Sequence, residues 1–249
     1  MEPKDRLIFA LDVPDKTTAI KYVNLLWDEV GLFKVGLELF MAEGPALLPD
    51  LANIQGLGPS RFFLDLKLYD IPATVLGAIQ TVHGLGLVTI HSDLGSRGLK
   101  QLVDNLGSGS AWKILAVTVL TSLSAQDLEA LGYVPEYARN PETLVVRKAK
   151  IAKEAGCHGV ICSGREAKAV KDACGKDFLV VCPGIRPAWA AVAGDDQQRI
   201  VTPYEAIKNG ADYIVVGRPI RTAPDPVAAA RKVVAEIGQA RKDSEAGTT

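Results

Sequence analysis

The sequence predicts a single domain of the α/β class, a (β/α)₈ TIM barrel. Eight short apolar runs alternate with longer amphipathic segments along the 249 residues. Apolar strands separated by helices are typical of a parallel sheet covered by helices, and eight such units in about 250 residues match a barrel. A doubly wound open sheet is the alternative. No G-x-G-x-x-G follows the first strand, which disfavours the dinucleotide-binding form of that alternative.

Each predicted strand is a short run rich in β-branched residues. The strands are Leu7–Val13, Phe33–Gly36, Phe62–Lys67, Val88–His91, Ile114–Thr118, Gly159–Cys162, Leu179–Cys182 and Tyr213–Val216. Helical patterns between them include Lys16–Val30, Thr74–Leu85, Glu142–Ala155, Arg165–Ala173 and Pro226–Ala240. Glycine follows two of these helices directly, as expected at a helix end. The barrel is therefore predicted over residues 1–240, and the polar residues 241–249 are predicted to form a frayed tail.

Composition excludes several classes of partner. Lys plus Arg (28) nearly balances Asp plus Glu (29), so no global positive field attracts nucleic acid or an anionic membrane. An anionic ligand must then be held by a local cluster of cations and amides. Three scattered histidines without an H-x-H or H-E-x-x-H pattern give no metal site. Four cysteines without a C-x-x-C pair, no signal-like start and no membrane-length apolar run indicate reduced thiols in the cytoplasm.

Two charged residues interrupt the third predicted strand. Asp65 and Lys67 lie two residues apart, so both point to one face together with Phe63. The opposite face carries leucines that suit packing against the helices, namely Leu64, Leu66 and Leu68. In a barrel the charged pair then points inward near the carboxyl mouth, where barrel enzymes place their chemistry. An inward ion pair of purely structural value is the alternative at this point.

Charged residues at two neighbouring strand ends favour a functional interpretation. Lys34 lies within the second predicted strand, and Asp12 lies at the end of the first. Neighbouring strands are about 4.8 Å apart, so Asp12, Lys34, Asp65 and Lys67 can form one network of alternating charge. Asp70 follows five residues after Asp65 and precedes Ile71 and Pro72; taken alone, it reads as a helix N-cap.

The segments after strands seven and eight predict a phosphate site. Strand eight leads into Gly217-Arg218-Pro219, where the glycine admits an oxyanion and the arginine offers a bidentate cation. Strand seven leads into Pro183-Gly184-Ile185-Arg186 and a long polar loop, residues 194–199, typical of a lid or binding loop. After strand five, Thr121 and its neighbours either offer hydroxyls to a polar ring or only cap a turn.

These motifs together resemble the orotidine 5′-phosphate decarboxylase family, of the bacterial stand-alone type. The most specific of them, D-x-K-x-x-D-I-P-x-T, runs from Asp65 to Thr74. The resemblance spans nearly the whole chain, with further matches at Ala10-Leu11-Asp12, Lys34-Val35-Gly36, Leu120-Thr121-Ser122, Pro183 to Arg186, Gly194 to Gln197, and Val216-Gly217-Arg218. It implies an enzyme without a cofactor that converts orotidine 5′-phosphate (OMP) to UMP and CO₂ in the last step of UMP synthesis.

The resemblance also implies a role for each matching residue. Lys67 would protonate C6 of the pyrimidine, and Asp65 would lie near the substrate carboxylate. Lys34, Lys67 and Asp70 would complete the alternating catalytic network around Asp65. Asp70 and Thr74 would reach the active site of a partner subunit, which makes a homodimer necessary for activity. The binding residues would be Asp12 and Lys34 for the ribose, Thr121 for the ring, and Arg186, Gln197, Gly217 and Arg218 for the phosphate.

Some positions depart from the family pattern, and other functions compete. Tyr69 and Ala73 stand where histidine and asparagine are frequent, and Ser92-Asp93-Leu94 differs from the usual small residues after strand four. The nearest competitors are Mg²⁺-dependent sugar-phosphate enzymes of the same barrel group, 3-keto-gulonate-phosphate decarboxylase and hexulose-phosphate synthase. A nucleotide-binding barrel without activity and a barrel isomerase are further alternatives. A nucleotide-binding barrel has no need of a costly charge network. A barrel isomerase would need a Glu or His base at a suitable strand end, and the sequence has none there.

Overall fold

A closed barrel of eight parallel strands, β1 to β8 in sequence order, forms the centre of the protein. The computed structural model describes residues 1–82, 84–106, 112–190 and 201–246. The strands are β1 Leu7–Ala10, β2 Leu32–Gly36, β3 Phe62–Leu68, β4 Leu87–His91, β5 Lys113–Val117, β6 Gly159–Ile161, β7 Leu179–Cys182 and β8 Tyr213–Val216. The predicted barrel is therefore confirmed, and the open-sheet alternative is wrong.

Helices cover the outside of the barrel between successive strands. Those in the described residues are α1 Lys16–Leu26, α2 Leu37–Glu43, α3 Leu47–Ala52, α4 Pro72–Gln80, α5 Gly95–Leu106, α6 Ala125–Ala130, α7 Pro135–Arg139, α8 Pro141–Glu154, α9 Ala167–Cys174, α10 Pro203–Lys208, α11 Arg218–Arg221 and α12 Pro226–Ala246. In the described part of the chain, none is long and apolar enough to span a membrane.

Several predicted boundaries are wrong: α1 ends at Leu26 and not at Val30, and α4 ends at Gln80 and not at Leu85. Strand β1 ends at Ala10, so Asp12 lies just beyond the strand, although Leu11 still donates its N–H to the Lys34 carbonyl at 2.9 Å. The predicted frayed tail is helical as far as Ala246, because the last turns of α12 have partners. Tyr204 donates a hydrogen bond to Asp243 at 2.8 Å, and the Arg241 guanidinium donates one to the Met1 carbonyl.

Apolar side chains form two layers, one inside the barrel and one between barrel and helices. The inner layer consists of Ile8, Ala10, Leu32, Phe63, Leu87, Leu115, Val117, Ile161, Val181 and Val215. Phe63 belongs to this layer, whereas Leu64 packs outward among the helices, as the alternation along β3 predicts. A filled interior leaves the carboxyl mouth as the place where polar groups gather.

Candidate active site

Four charged side chains form one alternating network at the carboxyl mouth. The Lys34 ammonium donates to Asp12 Oδ1 at 2.8 Å and lies 3.7 Å from Asp65 Oδ2. The Lys67 ammonium donates to the same Asp65 oxygen at 2.9 Å. The order Asp12, Lys34, Asp65, Lys67 follows three adjacent strands, since Ala10 pairs with Lys34 and Gly36 pairs with Asp65. The predicted network is thus present within a single chain.

Asp65 is the buried centre of this network. Only 8% of the residue is exposed, and Lys34 is equally buried. Burial alone raises the pKa of the Asp65 carboxyl, but the charges of Lys34 and Lys67 and the hydrogen bonds from Lys67 and Thr89 outweigh it. The pKa of Asp65 therefore lies below its ordinary value, and the carboxylate stays charged at neutral pH.

Lys67 has an unusual backbone conformation. Its φ is +50°, a left-handed value that non-glycine residues rarely adopt. The register of β3 against β4 shifts between Leu64 and Leu68, so the segment that carries Asp65 and Lys67 bulges out of the regular ladder. Strand alternation predicts a shared face for the two side chains. The bulge changes the backbone geometry from which Asp65 and Lys67 reach that face.

Thr89 holds this bulge in place and was missed in the sequence. Its side-chain oxygen accepts the Lys67 backbone N–H at 2.9 Å and donates to Asp65 Oδ1 at 3.0 Å. The residue is completely buried in β4. The available signal was a lone hydroxyl in the apolar run from Leu87 to Ile90, but threonine is too common in strands for that signal to be specific.

Gly36 leaves room for the ion pair between Asp12 and Lys34. A Cβ at this position would lie 2.9 Å from both Asp12 Oδ1 and Lys34 Nζ. Any side chain would therefore displace these two charged groups from their present positions. The absence of a side chain at the end of β2 is part of the geometry of the site.

Asp70 and Thr74 lie outside this network in the single chain. Both side chains are exposed, and Asp70 makes no ion pair with a described residue. The prediction that Asp70 caps the next helix is wrong: the N-cap of α4 is Ile71, and the Asp70 carboxylate accepts the N–H of Ile71 at 2.6 Å. Pro72 occupies the first turn of α4, as predicted.

The predicted phosphate residues also lie at the carboxyl ends of their strands. Gly217 and Arg218 start α11 directly after β8, and a Cβ on Gly217 would lie 3.8 Å from Asp12 Oδ2. Arg186 follows β7, and its backbone N–H donates to the Val201 carbonyl at 2.9 Å. The half-buried Thr121 lies in the turn after β5. Gln197 falls in 191–200, outside the described residues.

A metal site in a protein needs several ligand side chains grouped together. Within the ranges that the structure describes, no three His, Cys, Asp or Glu side chains are grouped so that they could hold a metal ion.

The fold and the site define a class: a parallel (β/α)₈ barrel whose carboxyl mouth carries paired lysines and carboxylates on strands β2 and β3 and just after β1. A sequence model described as "Orotidine 5'-phosphate decarboxylase / HUMPS family" matches residues 5–233. The chain belongs to this family.

Named relatives and a solved structure agree with this assignment. The orotidine 5′-phosphate decarboxylase of Desulfosudis oleivorans is 46% identical over 244 residues, covering 96% of each chain. That of Anaeromyxobacter sp. is 48% identical over 239 residues, covering 95% of this chain and all of the relative. The crystal structure of orotidine 5′-phosphate decarboxylase from Lactobacillus acidophilus superposes with a TM-score of 0.75 at 35% identity, covering 93% of this chain and 98% of that one.

Proposed function

We propose that this chain decarboxylates OMP to UMP and CO₂ in pyrimidine biosynthesis, with Lys67 as the proton donor. The observation that carries the proposal is the network of Asp12, Lys34, Asp65 and Lys67 at the mouth of the barrel. The family assignment supplies the substrate, because the named relatives are orotidine 5′-phosphate decarboxylases.

The reaction needs stabilisation of negative charge at one carbon. The bond from C6 to the carboxylate breaks, the electron pair stays on C6, and CO₂ leaves. Lys67 then gives its proton to C6, and a proton from water restores the ammonium. A fixed ammonium next to the developing charge stabilises the transition state more than the ground state, which is what accelerates the step.

Asp65 has two roles in this proposal. Its Oδ2 accepts from the Lys67 ammonium at 2.9 Å, which fixes the proton donor in one position. Its buried negative charge also faces the region where the substrate carboxylate binds, so two like charges approach each other and the repulsion disappears when CO₂ leaves. Lys34 lies 3.7 Å from the same oxygen and balances this charge in the free enzyme.

The remaining residues bind the substrate around this centre. Asp12 and Lys34 hold the ribose hydroxyls, and Thr121 contacts the pyrimidine ring. Arg186, Gln197, Gly217 and Arg218 hold the phosphate, which is remote from C6. Binding energy from the phosphate thereby organises the site for chemistry at the other end of the substrate.

Activity also requires a second copy of the chain. Asp70 and Thr74 are exposed in the protomer, and they act in the active site of the partner subunit. Exposed large apolar side chains in the segments after two adjacent strands support a homodimer: 54% of Leu37, 78% of Met41, 64% of Tyr69 and 68% of Ile71 are exposed. These residues follow the adjacent strands β2 and β3.

A mixing experiment tests this dimer. Lys67→Ala and Asp70→Ala are each expected to be inactive alone. In a hybrid dimer, one site has both Lys67 and the partner's Asp70 intact, so re-equilibrated equal mixtures should regain about a quarter of the wild-type activity. If Asp70 served its own subunit, mixing would restore nothing. Size-exclusion chromatography with light scattering would show independently whether the chain is a dimer.

The decisive experiment is an ultraviolet assay of the purified protein with OMP, in EDTA and without added metal. Rapid conversion to UMP, lost in Lys67→Ala, supports the proposed reaction and proton donor together. Turnover of sugar phosphates with Mg²⁺ instead would move the function to the Mg²⁺-dependent enzymes of the same barrel group. Binding of UMP without turnover of any of these substrates would favour a nucleotide-binding barrel.

The proposed location is the cytoplasm. Cys157, Cys162, Cys174 and Cys182 are all buried, and none of the four forms a disulfide bond. Cysteines that stay reduced in this number fit a reducing compartment.

A further inference from the structure

Lys148 is a buried cation outside the charge network of the active site. Only 8% of the residue is exposed, although it lies on α8 on the outside of the barrel. Its ammonium meets three acceptors: Asp93 Oδ1 at 2.6 Å, the Thr118 carbonyl at 3.1 Å and the Tyr133 hydroxyl at 3.1 Å. An ammonium has three hydrogens, so all are used. Burying a charge costs free energy unless the charged group is paired and fully hydrogen-bonded, as this ammonium is.

The three acceptors come from three separate segments. Asp93 lies in the turn after β4, Thr118 directly follows β5, and Tyr133 lies between α6 and α7. Lys148 therefore ties together the chain on one side of the barrel mouth. Asp93 is also one of the residues that depart from the family pattern after strand four, so this tie includes a feature that the family resemblance does not supply.

Thr118 is the start of the segment that leads to Thr121. The Thr118 hydroxyl donates to the Ile161 carbonyl at 2.8 Å, so β6 fixes the side chain while Lys148 fixes the carbonyl. Thr118 is completely buried, whereas Thr121, three residues later, is half-buried at the mouth. The chain that leads to Thr121 therefore starts from a residue held at two points, and Lys148 holds one of them.

We propose that Lys148 is a positioning residue for recognition of the pyrimidine ring. It holds the Thr118 carbonyl in place, and through it the turn that carries Thr121 against the ring. The inference rests on the proposed function, in which Thr121 contacts the base. The proposal predicts a selective effect on binding. Loss of Lys148 weakens binding of the base and leaves binding of the phosphate and ribose unchanged.

Lys148→Met tests this statement, because methionine keeps most of the side-chain length and removes the charge. Calorimetric titration should show about tenfold weaker binding of UMP, equivalent to about 1.4 kcal/mol, and unchanged binding of ribose 5-phosphate. The kcat/KM for OMP should fall by a similar factor. Lys100→Met, which breaks an exposed pair with Asp104, is the matched control and should change neither ligand.

Two results would overturn the proposal. An equal loss for UMP and ribose 5-phosphate would mean a general loosening of the fold, and no loss for either would mean that Lys148 does not position the turn. If Lys148→Met does not fold, Asp93→Asn keeps the side-chain shape, removes one charge and should show the same selectivity at smaller size. Failure of the proposed function is a separate result, namely no OMP turnover by the unmodified protein, and the binding comparison remains readable in that case.

Discussion

Thr89→Val removes one hydroxyl from the centre of the active site while it keeps the volume of the side chain. Two hydrogen bonds disappear, from the Lys67 N–H at 2.9 Å and to Asp65 Oδ1 at 3.0 Å. An unpaired buried amide costs about 1 to 3 kcal/mol, and a hydrogen bond to a charged group is worth about 1.5 to 3 kcal/mol. The added methyl group returns only about 0.8 kcal/mol.

The free energy of unfolding is therefore expected to fall by about 2 to 5 kcal/mol. For a chain of this length, each kcal/mol lowers the melting temperature by about 2 to 4 °C. The loss also frees the left-handed backbone at Lys67, whose φ is +50°, to relax toward an ordinary strand conformation. Such a relaxation displaces the proposed proton donor, and a displacement of about 1 Å lowers kcat by roughly 10²-fold.

The assays are thermal unfolding followed by circular dichroism and steady-state turnover of OMP. Thr89→Ser is the matched control, since it keeps the hydroxyl and loses only a methyl group, and it should retain most of the activity. A Thr89→Val variant with the melting temperature and kcat of the unmodified protein would refute the reasoning. A variant that is less stable but fully active would show that Thr89 supports the fold and not the position of Lys67.

The remaining predictions concern charge, space and thiol reactivity. Lys67→Ala should fold normally and lose turnover, measured by circular dichroism and the ultraviolet assay; wild-type rates would contradict the mechanism. The folded-state pKa of Asp65 lies below the unfolded value of about 3.9, so Asp65 stabilises the fold above that pH, and this stability is lost as the pH falls through the folded pKa. Lys34→Met removes one cause of the lowered pKa and should move acid unfolding to higher pH, followed by circular dichroism; an unmoved midpoint would argue against this coupling. Gly36→Ala should displace the paired ends of Asp12 and Lys34 and lower kcat/KM for OMP, whereas the exposed Gly77→Ala should do neither. Burial raises the pKa of the Cys157 thiol to about 12, so iodoacetamide at pH 8 should leave it unmodified in the folded protein, as read by mass spectrometry.

Strand order and the charge network are the parts of this protein that local sequence patterns predict well. Apolar runs locate the strands, and the two-residue spacing of Asp65 and Lys67 puts both on one face. The position of Thr89 depends on contact between two strands across a register shift, which a single sequence does not encode locally. The N-cap prediction for Asp70 failed because the chain stays extended for one more residue and Ile71 takes the cap position. The end of α12 was misplaced because its stability comes from distant partners such as Tyr204.

The apolar filling of the barrel constrains how protons reach Lys67. About a third of the Lys67 side chain is exposed, on the mouth side, while buried aliphatic and aromatic groups such as Phe63 and Leu115 occupy the interior below. Water and substrate therefore use the same opening. In the proposed reaction, the hydrogen delivered to C6 is taken up from solvent before OMP enters, and the lysine is recharged when UMP departs. In each catalytic cycle, Lys67 therefore delivers one proton that it bound before the substrate entered.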